Sequence, residues 1–215
     1  MEYINNLDII KSQFNTGDIL LYHHKNDYST LYNSFFSLLD DAIMWWTSSK
    51  FCHVSIIIKN PDFTTPPLTG LYILESSYEN IKDIEDQEYK MGVELIPLEE
   101  LDLKNIHLYW RKLECDRNKE FYENLAKAHS IVHNRPYDII PTDWIKAAFH
   151  LNIGNTQKKK TFWCSALVTY FYIKMGFLDK TIDWSLISPQ DLSSSSNKLT
   201  FYDCILDDDT ELIII

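Results

Sequence analysis

The order in which apolar patterns succeed one another limits this fold more than any single residue does. Short β-branched or alternating runs dominate the first half, at 19–22, 51–59, 71–76, 93–98 and 106–110. Apolar residues at period two mark half-buried strands. Helical spacing takes over afterwards, at 116–133, at 141–151 and from Trp163 or Cys164 to just before Gly176. Proline stands at the start of the second of these helices, and Gly176 suits a left-handed cap at the end of the third. One earlier stretch, 28–47, also has helical spacing. Strands first and helices after predict an α+β fold, an antiparallel sheet packed against a few helices. Residues 1–15 read as a short helix or arm, 79–90 as an acidic and mobile link, and the serine run 193–196 as a flexible one before a further strand at 200–206.

The chain has 215 residues, of which 45% are hydrophobic and 14% aromatic. That is enough to bury a core, and the length fits one domain, 1–215, with its core at about 16–192. Thirty-one acidic residues against 20 basic ones leave a formal charge of −11. Such a surface repels phosphate backbones and is not drawn to anionic membranes, so nucleic acid is excluded as a partner. No run approaches the roughly 18 apolar residues of a membrane span. The first residues lack the basic and apolar regions of a secretory signal. Four scattered cysteines without a CxxC pair fit a reducing compartment, so a cytoplasmic location is expected. The paucity of glycine and the Ile, Asn, Lys and Tyr bias match an AT-rich genome.

Cys164 opens a helix just behind Lys158, Lys159 and Lys160. The first turn of a helix has unpaired N–H groups and the positive end of the macrodipole, and both favour a thiolate. A nucleophilic cysteine further needs a histidine to take its proton and a third group to orient that histidine. His53 lies near the start of one predicted strand and Glu75 near the end of the next. In an antiparallel pair the two would sit side by side, the carboxylate fixing the imidazole tautomer. The stripe Leu167, Val168, Phe171 and Met175 would lay the Cys164 helix on the sheet. Each of the three residues also has an ordinary structural reading, as core cysteine, strand histidine or surface glutamate.

Seven segments together strengthen the catalytic reading: Thr16–Leu20, Phe51–Ile56, Leu74–Ser76, Gly92–Leu98, Arg135–Asp138, Phe162–Val168 and Ser188–Leu192. Their order resembles that of the circularly permuted papain-like hydrolases of the NlpC type. That group includes YiiX-like proteins, poxvirus relatives and, more distantly, lecithin:retinol acyltransferases. The resemblance implies a permuted papain-like fold with Cys164 as nucleophile, His53 as base and Glu75 as the polar third residue. Two positions depart from the family's pattern. Ser55 stands where many relatives have glycine, and Ala166 where many have an acidic residue.

The implied activity is a cysteine hydrolase acting on an amide, ester or thioester through an acyl-enzyme, with a peptide, amide or lipid-acyl substrate. A lipid acyltransferase with the same triad and a non-catalytic binding module on the same fold are the alternatives. No cofactor and no metal are expected. His23 and His24 read as an exposed turn, and Asp207–Asp209 as a solvated acidic run. His129 and His133 have the spacing of metal ligands on a helix but lack the glutamate of a metalloprotease motif. Asp18 reads as tying down a turn, Trp45 and Trp46 as core, and Tyr137 and Asp138 as shaping the site floor.

Overall fold

The computed structural model describes residues 10–24, 50–77, 81–101, 106–136 and 162–212. The helices expected at 28–47 and 141–151 lie outside these residues, as do Trp45, Trp46, Tyr137 and Asp138. Eight strands are described: β1 (Ile19–His24), β2 (His53–Lys59), β3 (Leu71–Ser77), β4 (Gly92–Pro97), β5 (Ile106–Arg111), β6 (Leu113–Cys115), β7 (Cys204–Leu206) and β8 (Thr210–Leu212). Six form an antiparallel sheet in the order β4-β3-β2-β1-β5-β8, and β6 pairs with β7 apart from it. With helices α1 (Lys119–Val132) and α2 (Cys164–Lys174), this is the α+β architecture that the pattern predicts. None of the described helices is long and apolar enough to cross a membrane.

Alternation splits the sheet residues between two cores. Ile19, Leu21, Val54, Ile56, Ile58, Leu74 and Leu95 pack on the side of α1 and α2. Leu20, Tyr22, Ile57, Ile73 and Ile96 fill the other side together with Phe14, Leu98 and Trp110. Cys52 falls in the second core rather than with Val54, because it precedes the strand and its thiol donates to the Tyr22 carbonyl at 3.4 Å.

Helix α1 begins where the Asn118 side chain accepts the Phe121 amide at 3.1 Å, and its stripe Phe121, Leu125, Ala128 and Val132 is buried. Helix α2 differs from the amphipathic expectation. Every residue from Cys164 to Ile173 is buried, because the sheet, α1 and the turns Trp184–Leu186 and Pro189–Leu192 enclose it. Two of its polar groups find partners inside: Thr169 Oγ1 donates to the Ser165 carbonyl at 2.8 Å, and Tyr172 Oη to that of Gly17 at 2.7 Å. The helix ends in a left-handed Gly176, with Gly176 N bonded to Ile173 O and Phe177 N to Tyr172 O, the double closure expected of such a cap.

Asp18 ties the layers together. Its carboxylate is fully buried and accepts the amides of Asn15 (3.1 Å) and Leu113 (3.0 Å), the Trp110 indole N–H (3.0 Å) and Arg117 Nη2 (3.2 Å). Burial pushes this carboxyl upward against the pull of those donors. The tail is held by Arg111, whose guanidinium donates to the carbonyls of Leu192, Leu206 and Asp207 at 2.7, 2.7 and 2.6 Å. The acidic run is accordingly not purely solvated, since Asp209 pairs with Arg111 at 3.4 Å and accepts the Ser194 amide. The serines before it are anchored too, with Ser193 and Ser195 bonded to the Gln190 side chain. Replacing Asp18 by alanine strands four donors. The expected outcome is a loss of about 3–5 kcal/mol in unfolding free energy, measured by urea denaturation.

Candidate active site

β1 and β2 pair so that Tyr22 faces His53, and the two rings meet edge to face with centroids 5.0 Å apart. β2 and β3 pair with Ile56 opposite Leu74, a register that, continued one step, sets Ser55 opposite Glu75. His53 and Glu75 are therefore diagonal neighbours on one face, a spacing that long side chains bridge. His53 Nε2 donates to Glu75 Oε2 at 2.7 Å. Glu75 is fully buried and the His53 side chain 15% exposed. Across the next strand Glu94 stands opposite Glu75 and accepts the Ser77 hydroxyl.

Cys164 enters from the helix layer. Ser76 Oγ donates to the Phe162 carbonyl at 2.7 Å, so the residue beside Glu75 tethers the chain two residues ahead of the cysteine. Ser165 Oγ donates to the Ile187 carbonyl at 2.6 Å and fixes the first turn from the other side. The N-cap residue Trp163 makes no side-chain cap bond, so no N-cap side chain takes up the first N–H groups of α2. Cys164 is the other group that acts on the His53 ring. Burial alone would push this imidazole down, but Glu75 and Cys164 together lift it well above its ordinary 6.5. Cys164, His53 and Glu75 are thus brought together, and the cation belongs on the histidine. Such a group can carry a proton between a sulfur and a leaving atom while a carboxylate holds the ring in place.

The two departures from the family's pattern have structural accounts. Ser55 is buried and bonded to Tyr22 Oη at 2.9 Å, so its hydroxyl is absorbed by packing. Ala166 is buried in the helix-side core, which makes it a packing residue. Sequence reasoning passed over Tyr22 and Ser76. Their signal was alternation: Tyr22 shares a face with Leu20 in β1, and Ser76 is the inward-facing polar residue next to Glu75.

The other candidates lie elsewhere. His23 and His24 are the last residues of β1 rather than a turn, and His23 Nδ1 bonds the Lys50 carbonyl at 2.6 Å. His129 and His133 meet Glu85 instead of the cysteine.

No protein-family model matches this chain. Nor does any curated protein. Among solved structures, metalloprotein YiiX from Escherichia coli O157:H7 superposes with a TM-score of 0.45 at 14% identity, covering 94% of this chain and 98% of its own. A superposition that loose carries no weight for the chemistry, which rests on the residues above.

The elevated His53 has a consequence for stability. A histidine whose folded value exceeds its unfolded one contributes stability that is fully present below about pH 6.5 and is lost as the pH rises through the folded value. Urea titrations of wild type should therefore show stability falling on the alkaline side of 6.5. Glu75→Gln, which weakens the attraction, should flatten the fall, and identical slopes in the two proteins would contradict the ion pair.

Proposed function

We propose that this chain is a cysteine hydrolase cleaving an amide, ester or thioester bond through Cys164, His53 and Glu75. The observation that carries the reading is the His53–Glu75 hydrogen bond of 2.7 Å on a ring whose charge is also favoured by Cys164, the first residue of a helix. In the reaction the Cys164 sulfur, its proton on His53, attacks the acyl carbon. The oxygen of the tetrahedral intermediate lies toward the N–H groups of the first turn of α2, which can donate to it. His53 then returns the proton to the leaving amine, alcohol or thiol as the carbon–heteroatom bond breaks, leaving an acyl-thioester on Cys164. Water gives a proton to His53 as its oxygen attacks that thioester, and the thiolate leaves with the acid released. Glu75 holds the ring throughout.

Iodoacetamide reports on the sulfur directly. Cys115 and Cys204 are internal controls, because burial pushes both thiols upward, Cys204 to about 12. Near neutral pH, Cys164 should be alkylated about ten- to a hundredfold faster than either, as read by peptide mass mapping. His53→Ala should remove that advantage, and labelling indifferent to His53 would reject the dyad. With acyl substrates, Cys164→Ala should abolish turnover while still unfolding in one cooperative transition, and Glu75→Gln should lower kcat by about a hundredfold. An active Cys164→Ala protein would end the proposal.

A further inference from the structure

We propose that Glu85, His129 and His133 form a binding site for one divalent transition-metal ion, Zn2+ by ligand type, on the far end of α1. The three share no residue with the cysteine site, so the inference stands or falls independently of the proposed hydrolase. His129 and His133 are four residues apart, at the last turn and C-cap of α1, which sets both rings on one side of the helix. The carboxylate absent from their own motif comes from Glu85, 44 residues earlier in the chain. Glu85 Oε2 lies 2.9 Å from His129 Nε2 and 3.3 Å from His133 Nδ1, and the three ligand atoms all fall within 4.8 Å of one another. Zinc bonded tetrahedrally at about 2.0–2.1 Å requires ligand atoms about 3.3 Å apart. An ion therefore fits between these atoms with shifts of a few tenths of an ångström to about one ångström, and one coordination position is left for water.

The ligands are held in place from both sides. The segment 81–90, expected from its acidity to be mobile, is a folded tongue. Lys82 bridges to Tyr89, Asp83 N bonds Glu88 O at 3.0 Å, and Ile84 N bonds Leu95 O of β4 at 2.9 Å. The Glu85 amide donates to Asp83 Oδ1 at 2.8 Å, which orients the residue at the turn. On the helix side Phe63 lies over His129 with centroids 4.3 Å apart. His129 and Glu85 are largely buried, whereas the His133 side chain is 33% exposed and leaves a way in. The surroundings favour a cation. Lys90 is the positive group near Glu85, and Asp83 and Asp86 hold its ammonium at 2.5 and 2.7 Å. Three carboxylates thus stand against one ammonium. On binding, the metal–nitrogen and metal–oxygen bonds replace the Glu85–imidazole hydrogen bonds. Any proton on His129 or His133 passes to solvent, as do the displaced metal-bound waters.

The metal-stripped full chain titrated with Co2+ tests this. Wild type should gain the visible absorption of a tetrahedral ion, saturating at one equivalent and lacking a thiolate-to-cobalt charge-transfer band. Glu85→Gln, which keeps the size of the side chain, and His133→Ala should each weaken binding at least about tenfold. Zn2+ at about a hundred times the wild-type Kd should raise the wild-type melting temperature by about 5–10 °C and each variant by about half of that or less. If His133→Ala fails to fold, Glu85→Gln alone decides. No stoichiometric binding, equal affinity in wild type and Glu85→Gln, or a charge-transfer band marking cysteine ligation would each overturn the site and leave a simple Glu–His–His ion-pair cluster.

Discussion

The Asp18 carboxylate is the constraint from which the remaining geometry follows. It sits where β1 begins and gathers donors from the turn before that strand, from β5, from the first residue of β6 and from Arg117 ahead of α1. A buried charge is tolerated only when its lone pairs are filled, so those elements have one relative arrangement. Gly17, beside it, has φ +98°, and a Cβ there would come within 2.7 Å of Leu113. The carbonyl of that same glycine accepts the Tyr172 hydroxyl from α2. The helix bearing Cys164 is thereby referenced to the strand that faces His53, with Asp18 as the common origin.

From that origin, strand register does the rest of the positioning. His53 and Glu75 meet because β2 and β3 pair in one alignment, and a slip of one residue would turn either side chain to the opposite face. Tyr22 braces the imidazole edge-on while its own hydroxyl is taken by Ser55. Ser76, pointing away from Glu75 along the same strand, captures the chain ahead of Cys164. Adjacent residues of β3 therefore serve the two halves of the candidate site, one through His53 and the other through the helix.

Much of this was legible in the residues. Period-two runs locate β1 to β5 within about two residues, since each is long enough to show alternation. β6 and β8 escaped because three residues carry no period. The stripe assigned to α2 was misleading: Leu167, Val168 and Phe171 do pack, but so do Thr169 and Tyr170, since neighbours enclose the helix on all sides. Charge was the other source of error. The acidity of 81–90 suggested a solvated link, yet its carboxylates face Lys90 and two histidines and give the segment its shape. Pairings of that kind join residues tens of positions apart, and composition does not disclose them. The side-by-side arrangement inferred for His53 and Glu75 is in fact diagonal, a distinction that depends on register alone.

The tether from Ser76 to Phe162 spans 86 residues of chain. Contacts of such separation are made late, because the intervening loop entropy must be overcome before they form. The approach of Cys164 to His53 belongs to the same late closure, since Cys164 lies two residues beyond Phe162. If Cys164 acts as proposed, its reactivity is thereby confined to molecules that have finished folding.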